Sequence, residues 1–434
     1  MRASDDFSII QAFADLLSGG SRTFVGRMFL RFGFLSVCLF LASFQRPAYA
    51  AENDAVASLR RVADHVMTHT TRRLIDRSTG ETFESSAGIA PKPEISIESK
   101  FNAWFYQTWL LADGMRRVAE SLDEAGYRGY GERNLEFIFQ HLDYFQRQRA
   151  AGMKAAPVGD GKLSPIGFYF EIGSLWQTGL APLVLERWQA TKDAKYEPFL
   201  GRVREFIRDC PRFEDGLLYR KGKGAMTDDP YMTVPFFVRE GRFDEAIAQV
   251  LGTHARLLDS EKHLLRHLWD VKTQKPAGEF WGRGNGWTVL AHVELLATLP
   301  KEHPKRAEVL AAFVRHMNGL RACADPNGGW HQVLDHADSW LETSATGMLT
   351  YGMARGVNEG WLDAGFAETA RKAWAALQSK VTPEGDLLDV CGSTDTGDLK
   401  YYFNRPRLQG DLHGFGSYLL AGAEIVRLQS ANQR

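Results

Sequence analysis

Apolar residues recur at three- to four-residue spacing through most of the chain beyond residue 55, the pattern of amphipathic helices. No convincing pair of alternating strands interrupts this pattern. The sequence therefore predicts an all-α protein of about twelve helices. The twelve predicted helical segments are Val56–Thr70, Phe101–Leu122, Tyr130–Arg149, Leu175–Ala190, Tyr196–Asp209, Pro230–Glu240, Phe243–Leu258, Gly286–Leu299, Pro304–Gly319, Leu341–Gly356, Ala364–Ser379 and Gly414–Leu428.

The connections between these segments alternate in length. Short connections such as Glu240–Arg242 alternate with long ones such as Pro211–Asp228, Asp259–Arg283 and Val381–Asp411. Twelve helices in pairs suggest six inner and six outer helices that close into an (α/α)6 barrel. Such pairing places the long loops on one face, and long loops in a compact domain are usually functional. We therefore expect the functional site on that face.

The N-terminus has the layout of a secretory signal peptide. A basic residue precedes the apolar run Phe32–Phe44, and the small-residue cleavage signal Ala48–Ala50 follows it. The run of about 13 residues is shorter than the ~20 needed to span a bilayer. We predict an N-terminal extension and signal peptide at residues 1–50, cleaved after Ala50, and a single (α/α)6 domain at 51–434. The protein would be periplasmic or secreted; an uncleaved anchor is the alternative.

Composition narrows the function. The formal net charge of −1 argues against a nucleic-acid partner, which requires a basic surface. The 11 tryptophans fill a core or stack on sugar rings, and composition alone does not choose between these roles. Outside the predicted signal, Cys210, Cys323 and Cys391 match no metal-binding spacing, so we expect buried, unpaired thiols.

The segment Phe280–Trp287 is the most informative motif. Its alternating glycines permit close approach and unusual backbone angles. Between them, Arg283 offers a planar fork that matches a carboxylate, and Trp281 and Trp287 offer stacking faces. The combination suits an acidic sugar. A tight structural turn before a helix is the alternative, whereas a phosphate cradle is disfavoured because no strand precedes the motif and no Walker lysine follows it.

Two adjacent carboxylates precede another predicted helix. We expect Asp229 to cap that helix, with Pro230 at its first position, which leaves Asp228 free to face a site. Taken alone, this pair is as well explained by capping as by proton transfer. A carboxyl near a helix start, packed by aromatic rings, is suited to proton transfer.

Histidines mark three further loops. His267 precedes Trp269 and Asp270, while His331 and His413 lie among glycines just before helical segments, where structural turns are the alternative. The spacing of His263 and His267 imitates a metal-binding pair but lacks the acidic residue of the H-E-x-x-H motif. We therefore predict no metal site.

Taken together, these motifs resemble glycoside hydrolase family 105, the unsaturated rhamnogalacturonyl hydrolases, and its sister family 88, the unsaturated glucuronyl hydrolases. The matching stretches follow the family order across nearly the whole predicted mature chain. They are Asn102–Tyr106, Thr227–Met232, His267–Asp270, Phe280–Trp287, Trp330–Asp335, Leu341–Thr346 and Asp411–Gly416.

The resemblance implies an (α/α)6 barrel and an unusual reaction without a cofactor. The substrate is an oligosaccharide of the pectin or rhamnogalacturonan type whose terminal uronic acid carries a C4=C5 double bond. Asp228 protonates C4 as general acid and then acts as base for water, which requires a raised pKa in an aromatic pocket. Glu171 aligns with a second acid, which is Asp in the family.

The resemblance also implies the substrate-binding residues. His267 and Arg283 resemble ligands of the uronate ring and its carboxylate, and Trp287 and Trp104 resemble stacking platforms. The remaining implied binding residues are Asn102, Trp281, His331 and His413.

The chain departs from the family pattern near the acid. Met226 replaces a usual Trp, Arg220 replaces a usual substrate-binding His, and Pro230 replaces a usual Leu. Two other functions therefore stay open: another (α/α)6 sugar enzyme, such as an inverting glycosidase or epimerase, and a non-enzymatic periplasmic sugar-binding protein. We expect a monomer or weak homodimer, and the sequence leaves open both the attached glycan and the choice between galacturonyl and glucuronyl substrates.

Overall fold

The computed structural model describes residues 48–158 and 164–431, with side chains from residue 54 onward. Contacts divide the chain into the units Met1–Asn53 and Asp54–Arg434, and the second unit is described below. Most of the predicted signal peptide lies outside the described residues. The signal, its cleavage site and the domain boundary at residue 50 therefore stay predictions.

Helices dominate the described part of the chain. In order they are α1 (Ala48–His69), α2 (Tyr106–Ser121), α3 (Tyr130–Gln140), α4 (Leu142–Ala150), α5 (Gly167–Phe170), α6 (Ala181–Thr191), α7 (Glu197–Asp209), α8 (Asp229–Arg239), α9 (Phe243–Leu257), α10 (Gly282–Thr298), α11 (Arg306–Ala322), α12 (Thr343–Asn358), α13 (Gly365–Gln378), α14 (Leu399–Phe403) and α15 (Leu412–Ala431).

Six of these helices form a closed inner ring. Each packs against the next in the order α2, α6, α8, α10, α12 and α15, and α15 packs back on α2. Inner helices are buried on nearly every side, as α10 shows from Gly282 to Leu296. Outer helices such as α7 bury one stripe, formed by Phe199, Leu200, Val203 and Ile207. The predicted (α/α)6 barrel is confirmed.

Two helix boundaries differ from the sequence prediction. The segment predicted at Tyr130–Arg149 breaks at His141 into α3 and α4. The segment predicted from Phe101 starts with a 3-10 turn, Lys100–Asn102, and its α-helix begins at Tyr106.

Eight short strands, which the sequence analysis did not predict, lie in the connections. They are β1 (Leu74–Asp76), β2 (Thr82–Phe83), β3 (Ile95–Ile97), β4 (Gly224–Met226), β5 (Leu268–Asp270), β6 (Lys275–Ala277), β7 (Val390–Cys391) and β8 (Arg407–Leu408). Strands of two or three residues are too short to show alternation. The antiparallel sheet β4–β5–β6, with Ala225 opposite Trp269, matters most because it ties together two of the long loops.

A buried ion network links all six inner helices toward their C-terminal halves. Arg239 of α8 pairs with Glu186 of α6 at 2.7 Å and with Glu294 of α10 at 2.9 Å. Arg117 of α2 lies 3.7 Å from Glu294. Since α2 and α10 lie opposite each other in the ring, this last contact crosses the barrel axis. The network continues through Glu424 of α15 to Arg355 of α12. The N-terminal ends of the inner helices are therefore left for a site.

Two simpler expectations have clear outcomes. Cys210, Cys323 and Cys391 are all free, as predicted. Among the described residues, no helix combines the length and the apolar character needed to cross a membrane.

Candidate active site

The predicted site residues converge at the N-terminal ends of the inner helices. Tyr106, the first residue of α2, shares a 2.7 Å hydrogen bond with Nε2 of His413 at the start of α15. Its ring packs edge-on against Trp287 of α10, with ring centroids 5.7 Å apart. Tyr106 is also within electrostatic range of Asp228 and Arg283. The long loops thus meet on one face, as expected.

Asp228 lies where strand β4 turns into helix α8. The helix begins at Asp229, so Pro230 is its second residue, and the side chain of Asp228 caps nothing. Asp229 does not cap the helix either: its Oδ2 accepts the N–H of Met226 at 3.1 Å. The expectation that Asp229 caps is wrong, but the expectation that the Asp228 side chain is free of the helix is confirmed.

Arg220, which the sequence analysis noted only as a departure from the family, grips both carboxylates. Its Nη2 donates to Oδ2 of Asp228 at 2.5 Å, and its Nε donates to Oδ1 of Asp229 at 2.8 Å. The side chains of Arg220 and Asp228 are each 15% exposed. A single guanidinium thus serves two nearly buried carboxyl groups.

These contacts set the protonation states. Burial alone raises the pKa of Asp228, but Arg220 and His267 lower it further, so it lies well below its usual value. The raised pKa expected for Asp228 is therefore wrong for the unliganded protein. Burial raises the pKa of Asp229 to about 6, helped by the charge of Asp228 and opposed by Arg220.

His267 stands on the other side of Asp228. The β4–β5 pairing places it there, since the Thr227 N–H donates to the His267 carbonyl at 3.2 Å. Its Nδ1 bonds the Tyr402 hydroxyl at 2.7 Å, and its Nε2 lies 3.6 Å from Oδ1 of Asp228. Both Nε2 and this Oδ1 are buried without a hydrogen-bond partner in the described part of the chain. Burial lowers the pKa of His267, so its imidazole is neutral near pH 7.

Metal binding has no visible site in this region. Within residues 48–158 and 164–431, no group of three or more histidine, cysteine or acidic side chains is arranged to hold a metal ion. The two ring nitrogens of His267 face Tyr402 and Asp228.

The segment Phe280–Trp287 is the start of a helix rather than a loop. Helix α10 begins at Gly282, and none of its three glycines has a positive φ. They are needed for close approach: a Cβ would lie 2.8 Å from the His331 carbonyl at Gly282, 2.5 Å from Thr227 Oγ1 at Gly284 and 2.8 Å from Met348 Sδ at Gly286. The expectation of close approach is confirmed, and that of unusual backbone angles is wrong.

Arg283 uses its fork inside the protein. Its Nη1 donates to the Cys391 carbonyl at 2.5 Å, and its Nη2 donates to the Gly392 carbonyl at 2.8 Å. The N–H of Cys391 donates to Glu342 at 2.9 Å, and Glu342 also caps helix α12. Arg283 and Glu342 thus clamp the same peptide segment. In this arrangement the guanidinium has no free pair of N–H groups for the bidentate carboxylate contact that the sequence suggested.

The tryptophans of this motif are buried. Trp287 stacks on Tyr231, with centroids 5.2 Å apart and ring planes 25° apart. Trp281 lies 4.5 Å from His267 between ring centroids and packs beneath Arg283. Both rings line the cluster around Asp228 and shape it, but neither has an open face.

Two further residues implied by the resemblance are structural. Trp104 is 1% exposed and packs edge-on against Phe139, Tyr169 and Phe199, so the expectation of a stacking platform is wrong. Asn102 is buried and donates from Nδ2 to the Thr71 carbonyl. These apolar surroundings belong to the core between inner and outer helices.

The remaining predicted residues divide between site and scaffold. His413 bonds Asp411 through Nδ1 at 2.6 Å and Tyr106 through Nε2, so it belongs to the site. His331 has both nitrogens engaged, with the Ser339 carbonyl and with Asp325, and acts as a structural tie.

Glu171 does not lie in the cluster. Its side chain is 74% exposed and pairs with Arg149 at 2.5 Å, which holds the pKa of Glu171 below its usual value. No contact joins it to Asp228 in the described part of the chain. As the catalytic partner of Asp228, Glu171 is therefore a wrong prediction for this structure.

Half-buried aromatic rings adjoin the cluster and were not predicted. Trp176 lies 6.1 Å from Tyr106 and 4.7 Å from Phe168, and Phe105 lies 5.5 Å from Phe168, all measured between ring centroids. Partly exposed rings beside a carboxylate and a cation are a suitable surface for a charged sugar.

The chain is similar to known sugar hydrolases. It is 32% identical over 163 residues to an unsaturated 3S-rhamnoglycuronyl hydrolase of an Alteromonas species, covering 36% of this chain and 38% of that one. It is 27% identical over 223 residues to the unsaturated rhamnogalacturonyl hydrolase YesR of Bacillus subtilis, covering 48% and 63%. The matches thus span well under two thirds of the relatives' lengths.

The fold is shared with a solved structure described as a possible family 105 member from Salmonella enterica. That structure has a TM-score of 0.66 and 21% identity, over 88% of this chain and 96% of that one. The model of glycosyl hydrolase family 88 matches residues 75–429, which include every residue of the cluster around Asp228. The chain therefore belongs to glycosyl hydrolase family 88, and the resemblance to this family and its sister family 105 is confirmed.

Proposed function

We propose that this protein releases the terminal 4,5-unsaturated uronic acid from oligosaccharides made by polysaccharide lyases, with Asp228 as the acid and base. The observation that carries the proposal is the buried, unpartnered Oδ1 of Asp228, which faces His267 beside half-buried aromatic rings. A carboxyl oxygen in that position is free to exchange a proton with a bound sugar.

The reaction follows from the polarity of the enol ether. Asp228 gives a proton to C4, which breaks the C4=C5 double bond and leaves an oxocarbenium-like C5 that shares charge with the ring oxygen. Asp228, now ionised, takes a proton from water as the water oxygen bonds to C5. The resulting hemiketal opens, C1 becomes a hemiacetal that still carries the glycan, and its collapse releases that glycan. No direct displacement at C1 is needed.

An inverting glycosidase would require two carboxyl groups facing one glycosidic bond, about 6.5–9.5 Å apart. Glu171 was the sequence candidate for the second group, and its exposed ion pair with Arg149 does not support that role. A binding protein without turnover is the remaining alternative, and only an activity measurement separates it.

The test is a panel of disaccharides with an unsaturated uronic acid at the non-reducing end and different second sugars. Rhamnose-linked forms come first because the related enzymes carry rhamnogalacturonyl and rhamnoglycuronyl names. We expect cleavage of unsaturated members and no action on their saturated counterparts. Binding without cleavage across the whole panel, or cleavage of saturated members, would refute the proposal.

We also propose that the mature protein begins at Ala51 outside the cytoplasm, because of the signal pattern at residues 1–50. Sequencing the N-terminus of the protein recovered from the periplasm or medium tests this proposal. Recovery with residues 32–44 still attached to a membrane fraction would indicate an anchor instead.

A further inference from the structure

The starting point is the charge balance around Arg220. One guanidinium holds two carboxyl groups: Nη2 reaches Asp228 at 2.5 Å and Asp229 at 2.7 Å, and Nε reaches Asp229 at 2.8 Å. All three side chains are at least 85% buried. A third carboxylate entering this cluster would be repelled unless a proton came with it, because like charges at short distance favour the neutral form of one of them.

Only one carboxyl oxygen is open to that proton. Asp229 has donors on both oxygens, from Arg220 and from the Met226 N–H. Asp228 receives Arg220 on Oδ2, whereas Oδ1 is buried and has no hydrogen-bond partner within the described residues. The nearest ring nitrogen, Nε2 of His267, lies 3.6 Å away. A proton taken up by the cluster therefore has its place on Oδ1 of Asp228.

Arg220 is also the better-placed cation for a uronate carboxylate. Arg283 spends both terminal nitrogens on the carbonyls of Cys391 and Gly392. Arg220 makes its contacts through Nε and Nη2, and its Nη1 makes no hydrogen bond to any residue that the structure describes. A partly exposed guanidinium with one free terminal nitrogen can receive a carboxylate without leaving Asp228.

We propose that Arg220 couples substrate binding to protonation of the acid: its Nη1 receives the uronate carboxylate, and this third negative charge draws one proton from solvent onto Oδ1 of Asp228. This inference rests on the proposed function, since it assigns the step that loads the acid. It makes Arg220 both a substrate-binding and a positioning residue. It also explains how an acid whose pKa is lowered in the unliganded protein can donate a proton during turnover.

Other groups near the cluster do not supply this charge. His267 from β5 is neutral because burial lowers its pKa, and Tyr106 from α2 is neutral because burial raises its pKa. Asp411 before α15 is ionised, since His413 and Arg283 lower its pKa to about 2 against the effect of burial. Lys223 lies on the turn after Arg220 and pairs with Asp395.

The test measures proton-linked binding without turnover. Galacturonate, and methyl galactoside as the uncharged control ligand, are titrated against tryptophan fluorescence from pH 5.5 to 8 in the full-length protein. For galacturonate we expect the Kd to rise up to tenfold per pH unit, as one proton per bound carboxylate requires, while methyl galactoside shows no pH dependence. A pH-independent Kd for galacturonate would overturn the proposal.

Variants separate Arg220 from its neighbours. Arg220→Gln should weaken galacturonate at least tenfold and flatten the pH dependence, because Asp228 loses its cation and is already protonated in the free site. Arg220→Lys, which keeps the buried charge, should retain part of both effects if Gln disturbs folding. Lys223→Gln is the matched control on the same turn and should keep the slope. Equal behaviour of wild type and Arg220→Lys with a flat slope in both would contradict the coupling.

This test is independent of turnover. Failure of the disaccharide panel with an intact proton-linked slope would refute the proposed function and leave the site's charge coupling standing. Cleavage of the panel with a flat slope would refute the coupling alone.

Discussion

Nη2 of Arg220 donates to Oδ2 of Asp228 at 2.5 Å, and this contact keeps the catalytic carboxyl ionised while the site is empty. Sequence reasoning expected the opposite, a carboxyl protonated by desolvation alone. The proton needed for attack on C4 must then arrive with the substrate. Arg220 stands at the turn before β4, where the family pattern has a histidine.

Replacing Asp228 by Asn should lower kcat by about 10²–10⁴-fold, because the amide can neither donate to C4 nor accept a proton from water. The measurement is the initial rate on an unsaturated disaccharide, followed by aglycone release. Glu171→Gln is the matched carboxyl-to-amide control, and it should keep near wild-type rates because Glu171 pairs with Arg149 at the surface. A large loss in Glu171→Gln would restore it as a partner of Asp228.

Replacing Arg283 by Met should lower the free energy of unfolding by about 2–4 kcal/mol, since the carbonyls of Cys391 and Gly392 would be buried without donors. Urea unfolding measures the loss. Unchanged stability together with a raised KM would return Arg283 to the role of a direct carboxylate ligand.

Replacing Arg239 by Met should cost about 3–5 kcal/mol of unfolding free energy, because Glu186 and Glu294 would lose a buried partner. Arg204→Met is the matched control: its partner Glu240 lies near the surface, so a loss below about 1 kcal/mol is expected. Similar losses in both variants would show that the network across the barrel axis adds little stability.

Stability should fall with acid because of three buried histidines behind α10. Nε2 of His254 lies 2.8 Å from Nε2 of His292, and Nε2 of His316 lies 2.9 Å from Oδ1 of Asn285. Burial lowers the pKa of His254 to about 3 and holds those of His292 and His316 well below the usual value. The folded state therefore binds fewer protons than the unfolded state below about pH 6.5.

The sign follows from that difference. Stability is full above pH 6.5 and should fall by up to about 1.4 kcal/mol per pH unit for each histidine as the pH drops toward 5. Asp229, with its pKa raised to about 6, opposes this loss below pH 6 by one proton. Urea unfolding at pH 7.5 and 5.0 tests the slope. His254→Gln should reduce it by one histidine's share, and an unchanged slope in that variant would contradict the assignment.

Helical periodicity was enough to predict the barrel, because each outer helix has one apolar stripe and each inner helix is apolar throughout. That same all-round burial hid which aromatic residues face the site: Trp104 and Trp287 are both buried, yet only Trp287 adjoins Tyr106. Sequence cannot separate the two cases, since an apolar inner helix has no polar face to set its rotation.

The polar errors have a different origin. Arg283 contacts carbonyls more than 100 residues away, and backbone acceptors leave no mark in a sequence. Arg220 meets Asp228 only because β4 pairs with β5 and turns sharply at Gly224, where a Cβ would collide with the Trp269 carbonyl. The departure from the family at Arg220 was the one signal that could have pointed to this contact.

The central claim is hydration of the double bond by Asp228 rather than displacement at C1. Proton NMR of an unsaturated disaccharide during turnover tests it most directly, by following the H4 alkene signal and the released aglycone in the same sample. The account predicts that the alkene signal disappears no later than the aglycone is released, and that Asp228→Asn stops both. Accumulation of a free unsaturated monosaccharide ahead of alkene loss would contradict it.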